Sequence, residues 1–210
     1  DQRYSPYRET SEVSRLNAGT LAPTEVSPEF AQILLRCALT KAETGGWFDA
    51  RRDGRLDPSG LVKGWAIERA SELLTARGHR NHFVDAGGDA QASGRRGDGQ
   101  PWRVGIRNPF NHEEIVKVLV LSDRGVATSG TAARGQHIYN PWRSEPLESD
   151  LVSLTVVGPS IYDADRLATA AFAMGRAGLA FIAEQPDLAA YAIASDGTAQ
   201  FTSEFADYVR

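Results

Sequence analysis

Three stretches of the chain pattern as helices. Ser27-Pro28 pairs an N-cap residue with a proline at the first helical position, and an apolar helical run continues to about Glu43 before Gly45-Gly46 stops it. From about Leu61 to Arg77, the residues Leu61, Trp65, Ala70, Leu73 and Leu74 share one broad apolar face, and Gly78 ends the pattern. Asp163 to Met174 is rich in alanine and closes at Gly175. Strands are expected over Asn81–Asp85, Trp102–Arg107, Ile115–Leu121 and Leu151–Val157, the last alternating well enough for a buried strand. Gly125–Gly130 reads as a short strand breaking into a polar loop at Thr128-Ser129-Gly130, and Gln136–Pro141 reads as loop. An irregular opening with a short helix precedes these elements, and a further short helix and two strands follow them. Strands and helices mix without a regular βαβ rhythm, which favours an α+β fold.

Composition narrows the function. The chain has 210 residues, room for one domain or two merged lobes with a real core. Its formal net charge of −4 and pI near 5.6 leave no basic face, which argues against nucleic acid as a partner. No apolar run approaches the roughly 20 residues that span a bilayer. Cys37 is the single cysteine and lies in an apolar helical stretch, so it reads as a buried, inert thiol. Asp1 is not a methionine, so a signal peptide or an earlier strand is compatible with the chain. The Arg and Ala bias suggests a bacterial source. The compartment stays open between cytoplasmic and membrane-attached or extracytoplasmic.

Candidate chemistry concentrates in a few turns. Asp57-Pro-Ser-Gly60-Leu-Val-Lys63-Gly64 sets a carboxylate, two glycines and a lysine where a helix begins. Glycine admits close backbone approach, and a helix start offers unpaired N–H groups to an anion. Only three of the 23 basic residues are lysine, so Lys63 stands out as a compact ammonium in an arginine-rich chain. Asp165 and Thr169, four apart on a helix, present two hard oxygen donors on one face. On its own the pair is more ordinarily a surface aspartate with a threonine bonded to the preceding turn. Gly87-Gly88-Asp89 follows a strand and lets the backbone pass close to a ring or phosphate, or simply makes a tight turn. Thr128-Ser129 supplies small donors, or is simply part of a loop. His137 is the one histidine in a plausible catalytic setting, able as neutral imidazole to take a proton from a hydroxyl. His79, His82 and His112 form no zinc pattern, and neither a P-loop nor a Gly-x-Ser-x-Gly elbow occurs.

Read in order, these segments form a series: Ser11–Asn17, Thr44–Asp49, Leu56–Gly64, Asp85–Asp89, Trp102–Ile106, Ala127–Gly130, His137–Pro141 and Ala164–Thr169. The series resembles the ApbE family of FAD:protein FMN transferases, over nearly the whole chain from about residue 4. The resemblance implies a single domain over residues 1–210, made of two merged α+β lobes with a flavin cleft between them. It also implies Mg²⁺, FAD as substrate, and transfer of FMN to a threonine of an acceptor protein with release of AMP. Some members of the family instead hydrolyse FAD to FMN and AMP, and a flavin-binding module without turnover is a third expectation.

By the same resemblance, Trp47, Phe48 and Asp49 line the flavin or adenine site. Asp57, Lys63, Gly87, Gly88, Asp89, Thr128, Ser129 and Tyr139 contact FAD, and Tyr7 is an aromatic near the flavin. Gly60 through its carbonyl, with Asp165 and Thr169, holds the metal, Ala168 lies beside it, and His137 is the general base. The chain departs from the family pattern at Glu68, Thr131 and Asn140, where aspartate is frequent, and after Pro141, where glycine is usual. It is also short between Asp49 and Asp57, and the family's opening strand is expected to be missing.

Overall fold

The computed structural model describes residues 2–131, 138–142 and 150–209. The first layer is helical. Helix α1 (Glu12–Asn17) is capped by Ser11, whose hydroxyl accepts from the Ser14 N–H at 2.9 Å. Helix α2 (Pro28–Glu43) starts where Ser27-Pro28 predicts; the Ser27 hydroxyl accepts from the Phe30 N–H and itself donates to Glu12. A tiny hairpin follows, β1 (Arg51–Arg52) and β2 (Arg55–Leu56), turned by Asp53 and Gly54, both at positive φ. This turn is what makes the short stretch between Asp49 and Asp57 possible.

Helix α3 (Ser59–Ala76) begins two residues earlier than its apolar face predicts, because the Asp57 carboxylate accepts from the Ser59 N–H and sets the first turn. Strands β3 (His82–Ala86) and β4 (Asp89–Ser93) are joined by Gly87-Gly88, both at positive φ. A long hairpin comes next, β5 (Trp102–Asn108) and β6 (Asn111–Leu121). Strand β7 (Arg124–Gly130) corrects an expectation: Thr128, Ser129 and Gly130 are strand, not loop, and pair with Thr155, Leu154 and Ser153. Their small polar side chains hid a strand that faces a cleft. Strand β8 (Leu151–Gly158), helix α4 (Ile161–Ala173), helix α5 (Ala177–Ala183), strands β9 (Ala189–Ala194) and β10 (Ala199–Phe201) and a terminal 3-10 turn (Ser203–Tyr208) complete the order.

Six strands make one antiparallel sheet in the order β10-β9-β8-β7-β4-β3. Successive side chains point to opposite faces. Ala127, Leu154, Val156, Ala190 and Ala192 meet α4 and α5 on one face. Val126, Val157, Tyr191 and Ile193 meet the β5–β6 hairpin and Phe205 on the other. Both faces of β8 and β9 are therefore covered, which is why β9 is buried along its whole length despite its alanines. The third cluster packs α1 and α2 against α3 and α4, through Val13, Phe30, Ile33, Cys37, Phe48, Leu56, Leu61 and Ala170. The α+β reading holds, and among the described residues no helix is long and apolar enough to cross a membrane.

Candidate active site

The layers leave one large cleft of about 560 Å³ between the start of α3, the β3–β4 turn, the β5–β6 hairpin and the residues around Tyr139. Trp47, Phe48, Asp49, Asp57, Gly60, Lys63, Gly87, Gly88, Asp89, Thr128, Ser129, Tyr139, Asp165 and Thr169 all line it. Segments spread over more than a hundred residues of sequence thus converge on one cavity. Tyr7 does not: the residue is 90% exposed and lies outside the lining. The aromatic that turns inward is Tyr4, whose ring packs against Phe30 at 5.8 Å and edge-on to Trp65 at 5.4 Å. His137 lies outside the described residues.

At one end of the cleft α3 crosses α4 so closely that the crossing depends on glycine. A Cβ on Gly64 would stand 2.6 Å from the Asp165 Cβ and 2.8 Å from the Ile161 carbonyl oxygen. A Cβ on Gly60 would stand 3.1 Å from the Thr169 methyl. Gly60 and Gly64 are one turn apart on α3, as Asp165 and Thr169 are on α4, so the two pairs face each other across the contact. The Gly64 N–H donates to Asp165 Oδ2 at 2.7 Å. The Thr169 hydroxyl lies 3.3 Å from the Gly60 carbonyl oxygen and 3.0 Å from the Asp165 carbonyl oxygen. Thr169 therefore makes the ordinary bond back to the preceding turn and also meets Gly60.

Lys63 points into the same corner. Its ammonium pairs with Asp89 and lies 3.9 Å from Asp165 Oδ1. Asp89 is almost fully buried, and its other oxygen accepts from the Thr128 N–H at 2.9 Å. Beside the Lys63–Asp89 pair, Asp165, Thr169 and Gly60 bring a carboxylate, a hydroxyl and a backbone carbonyl to this corner. All are hard oxygen donors, which suit Mg²⁺ and its need for several non-protein ligands, and suit zinc poorly. Among the described residues no group of three or more His, Cys, Asp or Glu is gathered for a metal.

The rim beside this corner is aromatic; a Cβ on Gly60 would stand 3.3 Å from the Phe48 ring. Gly45 and Gly46, both at positive φ, swing the chain from α2 into Trp47-Phe48-Asp49, and the Phe48 N–H donates to the Thr44 hydroxyl. The Tyr139 hydroxyl donates to the Asp49 carbonyl oxygen at 2.5 Å, and the Arg52 guanidinium lies over its ring at 4.7 Å. Burial first, then the Asp49 and Asp57 carboxylates, push the Tyr139 phenol up to about 12, so it stays a donor at neutral pH. Sequence reasoning missed the far wall: Val104 to Pro109 and His112 on the hairpin, and Ser153 and Thr155 on β8. Thr155 is hydrogen bonded to Thr128 at 2.8 Å. The cross-strand register that brings these two together was the missing signal; period-two patterning gives a strand's faces but not its partner.

The ApbE family profile matches residues 1–52 and 50–192, most of the chain. The chain belongs to the ApbE family. Over 151 residues it is 30% identical to the FAD:protein FMN transferase of Escherichia coli K12, covering 68% of this chain and 43% of that protein. Over 200 residues it is 30% identical to the FAD:protein FMN transferase of Treponema pallidum, covering 87% and 55%. The chain thus spans about half the length of the curated relatives it matches. The fold superposes on the flavin transferase ApbE of Vibrio cholerae with a TM-score of 0.82 at 25% identity, covering 99% of this chain and 85% of that one. It also superposes on the ApbE protein of Thermotoga maritima with a TM-score of 0.87 at 21% identity, a likeness of fold.

Against the ApbE pattern, the structure places three of the chain's departures. Glu68 does not line the cleft; it sits half-buried on α3, where burial raises its carboxyl above the ordinary carboxylate range. Asn140 Oδ1 accepts from the Trp142 N–H at 2.9 Å, the turn-forming bond an aspartate would make. The Thr131 N–H donates to the Val152 carbonyl, which extends the β7–β8 ladder. None of these three substitutions removes a donor from the Gly60–Asp165–Thr169 corner.

Proposed function

We propose that this ApbE-family chain is an Mg²⁺-dependent transferase that moves the FMN half of FAD onto a threonine of an acceptor protein, releasing AMP. The observation that carries the reading is the corner where Gly60, Lys63, Asp165 and Thr169 meet inside the cleft. A flavin dinucleotide presents two negative charges on its diphosphate, and this corner combines an ammonium with oxygen donors fit for a divalent cation. The Asp165 carboxylate, the Thr169 hydroxyl and the Gly60 carbonyl would hold that cation. When bound, Mg²⁺ would neutralise the diphosphate and favour departure of AMP as its phosphate.

The chain's own residues do the rest. Lys63 draws one phosphate toward α3, and the fixed backbone at Gly60 and Gly64 keeps the corner from shifting as charge develops. The aromatic rim at Trp47 and Phe48 covers one end of the coenzyme. The acceptor threonine oxygen forms a bond to the FMN phosphorus, the bond from that phosphorus to the bridging oxygen breaks, and AMP leaves with that oxygen. The threonine proton passes to His137, which the family resemblance assigns as base.

The test is incubation with FAD, Mg²⁺ and an FMN-carrying domain from the same genome. Intact-mass spectrometry should show one FMN added per acceptor, and chromatography an equal amount of AMP, both abolished by EDTA. AMP released without an adduct would make the protein an FAD pyrophosphatase. FAD binding without AMP under any acceptor would make it a carrier.

A further inference from the structure

Asp89 lines the cleft beside the site where FAD is proposed to sit, yet it is ill suited to touch a diphosphate. An ionised carboxylate only accepts hydrogen bonds, and so do phosphate oxygens. Both of its oxygens are already engaged: one takes the Thr128 N–H at 2.9 Å, the other pairs with Lys63. Its side chain is 3% exposed, against 25% for Lys63. A carboxylate that deep cannot give up its cation without leaving a buried charge unpaired. The ion pair therefore persists when a ligand arrives, and the ammonium meets the ligand from the place where Asp89 holds it.

Resting on the proposed function, we infer that Asp89 is a positioning residue: it anchors the Lys63 ammonium to the backbone of β7 at Thr128 and so fixes where the diphosphate is bound. The β3–β4 turn supplies the means. Gly87 and Gly88 at positive φ reverse the chain so that Asp89, first residue of β4, faces α3 across the cleft floor. The anchor ties α3 to the sheet near the start of the helix, as Ser71 does nearer its end through hydrogen-bond contacts with His82 and Ser93.

Charge alone predicts the opposite outcome. Removing a carboxylate next to a dianion should tighten binding, since like charges repel. Anchoring predicts weaker binding, because an unheld lysine loses orientation. The sign of the effect of Asp89→Asn on FAD affinity in the presence of Mg²⁺ therefore separates the two.

The experiment measures the FAD dissociation constant by titration calorimetry for the whole chain and for Asp89→Asn, Lys63→Met and the double variant. Asp89→Asn should weaken binding about tenfold, the worth of one charge-assisted contact. In the Lys63→Met background the same change should alter affinity by less than about twofold, since the two act as one unit. Equal losses in both backgrounds would show that Asp89 acts through Thr128 alone, and tighter binding by Asp89→Asn would show that it only repels; either overturns the inference. Should Asp89→Asn not fold, Asp89→Glu keeps the charge and displaces the ammonium by one methylene, and unchanged FAD affinity in that variant would equally overturn it. Failure of the unaltered protein to bind FAD with Mg²⁺ would instead count against the proposed function.

Discussion

On one side of the cleft α3 and α4 cross at contact distance, with Gly64 where a side chain would collide, Gly60 where one would be tight, and buried Asp165 bonded to a backbone N–H. On the other side the β5–β6 hairpin reaches out as two strands, its sheet-facing residues Ile106, Leu119 and Leu121 buried while Phe110 and Ile115 near its tip stay exposed. The helical wall holds every proposed ligand for charge. The hairpin wall contributes Val104 to Pro109 and His112, and little that is tightly constrained. A diphosphate demands fixed donors, whereas a ring system demands mainly a fitting surface. The contrast in packing follows the contrast in what each wall is proposed to bind.

The sharpest way to break this comparison is to make one substitution on both walls. Gly64→Ala should cost about 3 kcal/mol of stability, because the new methyl meets a backbone carbonyl and the Asp165 Cβ at the helix crossing. Urea denaturation measures it, and a loss below about 1 kcal/mol would mean that the crossing yields. Asp165→Asn should leave the fold intact, since the amide oxygen still accepts from the Gly64 N–H, yet lower Mg²⁺-dependent FAD affinity about tenfold or more. Calorimetry with and without Mg²⁺ checks this, and a difference confined to the metal-free protein would contradict it.

High pH offers a gentler probe of the helical side. Burial pushes the Cys37 thiol from 9.0 to about 12, and Tyr4 and Tyr139 from 10.0 to about 12. All three are raised in the folded state, so the folded protein holds protons that the unfolded chain releases. Their contribution is complete below about pH 9 and disappears as pH rises toward 12. Denaturation midpoints should fall across that window while Cys37 resists thiol reagents at neutral pH. Ready labelling of the folded protein at neutral pH would refute the buried-thiol account. The smallest effect is expected on the hairpin. The atoms a Cβ on Gly105 would meet first belong to the Ile115 side chain, which is 47% exposed, and no backbone atom is among them. Gly105→Ala should therefore shift stability by no more than about 0.5 kcal/mol. A loss as large as that of Gly64→Ala would erase the distinction between the two walls.

Much of the helical wall was legible beforehand. Ser27-Pro28 marks the start of α2, Gly78 marks the end of α3, and the spacing of Asp165 and Thr169 puts both on one face of α4, because these signals are local and act through nearby backbone groups. The hairpin strands were also anticipated, but not their place in the cleft. Strand β4 went unread because Asp89-Ala-Gln-Ala-Ser93 has little β-branched or aromatic character; it is held by pairing with β3 and β7 and by Gln91, whose side-chain oxygen accepts from the first N–H of α4. Tyr4 packs inward and Tyr7 stays exposed, although nothing in their neighbouring residues says which ring is buried.

The sequence by itself determined where α2 starts and where α3 ends, the glycine turns, the acidic and lysine-poor character of the chain and the family to which it belongs. All of these are written in short-range patterns or in the order of motifs. Only the tertiary structure decided that Lys63 is held by Asp89, that Gly64 exists to let Asp165 approach, and that Thr128 meets Thr155. Those contacts join residues far apart in the chain, and the packing of helices on a sheet, rather than any local preference, sets the distances between them.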